Sequence, residues 1–96
     1  MDEDLLKFSA ETRYQFLKVD LQLLSTGLEM GTFELARGNL EIAHREAAAV
    51  EKGMRTIERL LPSVGAEKRR EVESGLAALR ERYEGFQAKL ATNGRE

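Results

Sequence analysis

Glu41 and His44 are the residues in this chain best placed to do chemistry. They stand in the order Glu-x-x-His inside the stretch LARGNLEIAH at 35–44. Residues three apart share a helix face, so a carboxylate and an imidazole at this spacing can ligate one metal ion. Di-metal helix bundles use two such motifs plus two further glutamates, all pointing inward. This chain has one histidine, so a single copy lacks the second motif. Two copies would supply it, with Glu34 as the additional carboxylate. The phase argues against that arrangement. Glu41 and His44 fall roughly 120–180° from the apolar stripe of their own helix, on its polar side. The helix dipole alone accounts for an acid at position 41, near a helix start. The expectation is no metal and no cofactor, and a dimeric metal site of Glu34, Glu41 and His44 is the alternative.

Other chemistry finds less support. The chain has no cysteine, which removes thiolate nucleophiles and disulfides and favours an intracellular setting. It has no Gly-x-Ser-x-Gly elbow, no phosphate-binding P-loop and no Gly-x-Gly-x-x-Gly. The acids are scattered, and Tyr14 and Tyr83 fall among apolar positions. No enzyme activity is expected. Fifteen basic and 17 acidic residues leave a formal charge of −2, where a nucleic-acid binder would show a basic excess. The one tight basic run, Lys68-Arg69-Arg70, is flanked by Glu67, Glu71 and Glu73 and reads as a solvated helix face. No apolar run approaches the ~18 residues of a membrane span. The first residues, MDEDLLKF, are acidic where a signal peptide is basic. A cytoplasmic protein, binding neither nucleic acid nor membrane, is expected.

The elements that must position these residues are helices. Hydrophobic residues make up 42% of the 96 residues and charged residues 33%, which suits one small globular domain. Three apolar seams step by three and four. The first is Tyr14, Leu17, Leu21, Leu24, Leu28, Gly31, Leu35. The second is Leu40, Ala43, Ala47, Val50, Met54, Ile57, Leu61. The third is Val72, Leu76, Leu79, Tyr83, Phe86, Leu90. Ser9 suits a helix cap, Gly38 the left-handed position after a helix, and Asn39 the cap of the next. Leu61-Pro62 should end the second helix, because a residue before proline avoids the α region. Asn93-Gly94 should stop the third. Helices are expected at about 10–37, 40–61 and 66–92, in an all-α, up-down-up antiparallel three-helix bundle. Residues 1–9 form an acidic lead-in whose Leu5, Leu6 and Phe8 could dock as an extra turn, and 93–96 a frayed tail.

Folding the chain about Gly38 sets Leu24 against Val50, Leu21 against Met54, Leu17 against Ile57, and Gly31 against the Ala43–Ala47 region. Folding it again about Val64 sets Leu79 against Val50, Tyr83 against Ala47 and Phe86 against Ala43. Gly31 then marks a close helix approach, while Gly53 and Gly85 are merely tolerated.

The first helix carries more apolar surface than a bundle edge needs. Phe16, Val19, Leu23, Met30 and Phe33 form a second set, centred roughly 140° from the first seam. Either the first helix is wedged between the other two and both sets are core, or part of this set stays uncovered and meets another chain. Exposed clusters of phenylalanine, leucine and methionine mark contacts. The expected function is a protein–protein interaction module, binding a partner helix or a second copy through this face. A purely structural homo-oligomer is the alternative, followed by the metal-binding dimer.

The turn Gly38-Asn39-Leu40-Glu41-Ile42-Ala43 is similar to that of tetratricopeptide-type helical hairpins, which place glycine, a polar residue, a large residue, often an acid, and then alanine where two helices cross. Gly31 falls at the small position seven residues earlier. The match covers one hairpin. It departs at Glu34, where the repeat has an aromatic, and in the length of the second helix. As a whole the chain resembles the microtubule-interacting and trafficking (MIT) domain, a three-helix relative with the same turn, although the first helix here is longer. The resemblance implies a three-helix fold that binds short segments of partner proteins between helices. It transfers no binding residue.

Overall fold

A computed structural model of the protein describes residues 8–93. Three helices, α1 (Ala10–Ala36), α2 (Leu40–Leu60) and α3 (Ala66–Asn93), form an all-α bundle, and a 3-10 turn at Leu61–Ser63 joins the last two. The proposed docking of Leu5 and Leu6 and the tail beyond Asn93 lie outside the described residues. Phe8 is exposed rather than docked.

The helix ends follow from backbone chemistry. Ser9 Oγ accepts from the Thr12 amide at 3.1 Å, capping α1. At the other end Gly38 takes φ +84°, a left-handed conformation that costs a residue with a Cβ about 1 kcal/mol or more. The Gly38 amide donates to Leu35 O at 3.0 Å and the Asn39 amide to Glu34 O at 2.9 Å. These two bonds make a Schellman closure of α1.

Asn39 then differs from expectation. It occupies the capping position of α2 but makes no side-chain cap. Its amide nitrogen instead donates to the Glu34 carboxylate. With φ −84° and ψ 72°, and Leu40 N donating to Gly38 O, Asn39 is the centre of an inverse γ-turn. The second boundary also falls where expected, but for a different reason. Leu61 stays in the right-handed α region at φ −51°, ψ −45°, and Pro62 is the second residue of the 3-10 turn, where its missing N–H is not needed. The chain turns extended only at Val64. Asn93 still belongs to α3.

The core is made of the three seams. Every residue of the third is buried, and so are most of the first two. Leu21, Leu24 and Leu40 pack partly buried against them, and Leu60 and Val64 add to the core beyond the seams. Contacts fix the helix directions. Between α1 and α2, Gly31 lies against Glu46, Gly27 against Val50, and Leu24 against Gly53, so one helix descends as the other rises. Between α1 and α3, Leu21 lies against Gly75, Ser25 Oγ accepts from Arg82 at 2.7 Å, and Gly31 lies against Phe86. These numbers rise together, so α1 and α3 run parallel.

The register between α1 and α2 differs from the expected one by about a helical turn. Leu24 lies over Gly53, and Val50 lies beside Gly27. Gly53 is therefore not simply tolerated: the Leu24 side chain occupies the space a Cβ there would need. Gly31 marks a close approach, as expected, but the ring above it is Phe86, whose Cζ lies 3.0 Å from where a Cβ would stand. Nothing comes within 4 Å at Gly85.

Two arginines hold the α2–α3 connection. Arg13 donates from Nε and Nη2 to Ser63 O, at 3.2 and 2.8 Å. Arg69 Nη2 donates to Pro62 O at 3.3 Å and Val64 O at 3.0 Å. The carbonyls of a tight connection thus find donors from the first turns of α1 and α3.

Candidate functional site

The open face of α1 is the most distinctive surface of the molecule. Phe16, Val19, Leu23, Met30 and Phe33 are each 44–62% exposed. Large apolar side chains rarely gather in this way on a soluble surface. A 27-residue helix rises about 1.5 Å per residue, so these residues form one stripe along most of its length. Tyr14, Leu17, Leu28, Gly31 and Leu35 of the same helix are buried on the other side. Helix α1 is therefore apolar on two faces, and its bundle covers one of them.

The reason lies in the neighbours. Each of α2 and α3 buries a single stripe, and both stripes are spent on the first seam of α1. Among the described residues nothing remains to cover the second. The stripe also includes Thr26, which a set of large apolar residues leaves out. It sits three residues after Leu23, in step with the others. Its Oγ1 donates to Gln22 O at 3.1 Å, so its polar group is satisfied within its own helix and its methyl is left to the surface. The spacing was the available signal.

The margins of the stripe are polar. Arg37 stands 5.4 Å from the centroid of the Phe33 ring in a cation–π contact. On the α3 side, Glu29 lies 3.8 Å from Arg82. On the other side, Asp20 is half-buried, and burial raises its carboxyl above the ordinary range.

Within one chain, Glu34, Glu41 and His44 form no three-ligand cluster. Glu41 and His44 are exposed, and the Glu34 carboxylate accepts from Asn39. His44 lines a shallow groove between α2 and α3 with Ala47, Tyr83, Gln87 and Leu90. Among the described residues no group of three or more histidines or acids has a geometry that could hold a metal ion.

The tyrosines are structural. The Tyr14 hydroxyl donates to the Glu71 carboxylate, and Lys68 Nζ lies 4.5 Å from the centroid of its ring. Tyr83 Oη donates to Glu51 at 3.2 Å. Burial, followed by that acceptor, raises the Tyr83 hydroxyl above its usual value. No polar or charged residue among those described is fully buried. The basic run at 68–70 is tied into the fold through Arg69 and Lys68. No described helix is long and apolar enough to cross a membrane. Neither a family model, nor a curated protein, nor a solved structure matches the chain.

Proposed function

We propose that the protein is a small helical interaction module and that the open stripe of α1 is its binding surface. The observation that carries this reading is the exposure of Phe16, Val19, Leu23, Met30 and Phe33 along one face of a helix whose other face is core. Seating another helix there removes the stripe from water at roughly 25 cal/mol per Å² of apolar surface. The recognition is by anchors three and four residues apart, the geometry of helix pairing. Binding rather than catalysis suits a chain whose grooves are open and whose two buried tyrosines, Tyr14 and Tyr83, bond to acids of their own fold. The resemblance of the Gly38–Ala43 turn to tetratricopeptide and MIT hairpins points the same way.

The test uses two baits, the wild-type chain and Leu23→Glu/Met30→Glu, matched for helicity and thermal stability by circular dichroism. Both substitutions fall on exposed positions, so the fold is expected to survive them. Associations made by the wild type, with itself or with another protein, are expected to be lost in the variant. A variant that keeps all of them overturns the proposal.

A further inference from the structure

We infer that the occupant of the α1 stripe is a second copy of this chain, its α1 lying antiparallel to the first about a two-fold axis between Leu23 and Thr26. This rests on the interaction reading above and names the partner.

The argument begins with spacing. Phe16, Val19, Leu23, Thr26, Met30 and Phe33 step by three and four without a break, which is the seam of a two-stranded coiled coil. Such a seam can meet itself in two directions. Antiparallel, Phe16 faces Phe33 of the second copy, Val19 faces Met30, and Leu23 faces Thr26. Each pair is its own reverse, so one arrangement satisfies both chains, as an isologous two-fold interface requires. Two aromatic pairs close the ends, and the smallest side chain falls by the axis opposite a leucine. Thr26 can be buried there because its hydroxyl is already bonded to Gln22 O.

Charge chooses between the directions. In a parallel pair, residues flanking the seam meet five apart, which sets Glu29 against Glu34 of the second copy twice over. In the antiparallel pair, Gln22 meets Glu29 and Asp20 meets Gly27, while Arg13 and Glu34, which stand opposite, are held within their own chain by Ser63 O and Asn39. That direction brings no two like charges together, and it also opposes the two helix dipoles. Among the described residues nothing obstructs the face, because α2 and α3 both lie on the other side of α1.

The chain has no cysteine, so single substitutions report the geometry without background. Sedimentation velocity across tens to hundreds of micromolar gives the mass. Val19→Cys and Met30→Cys, oxidised alone and then mixed, give the direction, since a disulfide requires Cα atoms within about 7 Å. The expected result is a mass twice that of the chain, reduced to one chain in Leu23→Glu/Met30→Glu. The mixture should yield the 19–30 cross-link, and neither variant alone its own. Cross-links of 19 with 19 and 30 with 30 would overturn the antiparallel register. A wild type that stays one chain throughout would overturn the second copy. If its bait still retains another protein that the stripe variant releases, the interaction module survives without the dimer. If the two baits behave alike, both fall together.

Discussion

Alanine placed at three glycines separates the reasons this chain has for using them. At Gly85 a Cβ meets nothing, so Gly85→Ala should gain helix propensity alone, about 1 kcal/mol. That corresponds to a melting temperature some 4–8 °C higher in a domain of this size. At Gly53 the Leu24 side chain holds the space, so that gain should be cancelled or reversed. At Gly38, φ +84° makes the cost conformational, and Gly38→Ala should lose about 1 kcal/mol although there is room for it. Thermal melts followed by circular dichroism check all three. Equal effects at the three sites would refute the distinction. Only the last was legible in the chain, from the turn-forming pair Gly38-Asn39. Gly53 and Gly85 look alike in sequence, because what separates them is a leucine on another helix.

At the scale of elements, the helices themselves could be read from the three seams, since period and burial coincide at nearly every position. The joints were legible in place but not in mechanism. Leu61 keeps a helical backbone before Pro62, and Asn39 serves Glu34 rather than the α2 amides. The clamp on the α2–α3 connection had no local signal at all. Arg13 is fifty positions from Ser63, and nothing near either residue announces the bond. Arg69 supports the same turn through Pro62 O and Val64 O. Arg69→Met keeps the stem and removes both bonds, and should cost about 1–3 kcal/mol. Chemical denaturation would read this as a lower midpoint with unchanged slope. A midpoint equal to that of the wild type would show that the clamp contributes nothing.

At the scale of the whole molecule, the candidate surface was half legible. The sequence names Phe16, Val19, Leu23, Met30 and Phe33 as an apolar set in excess, because α1 alone has two stripes. Whether that set is covered depends on how wide the faces of α2 and α3 are and which way they turn, and no single helix carries that information. If the stripe pairs with a second copy, stability is shared between chains and becomes a function of concentration. The wild-type melting temperature should then rise over a hundredfold range of protein concentration, and that of Leu23→Glu/Met30→Glu should stay constant. A wild-type value independent of concentration would contradict coupling between folding and association.

The bundle measures 48 × 23 × 16 Å, and α1 and α3 run the same way along its length. With an odd number of helices, the described chain enters at one end of the rod and leaves at the other. Tension between Ala10 and Asn93 would therefore run along the long axis. It would slide α1 past α3 in shear, loading the layers from Tyr14 to Phe86 at once rather than peeling them in turn. The same fold that leaves one face of α1 open thus sets the two ends of the described chain so that a pull between them is borne by the α1–α3 contact along its whole length.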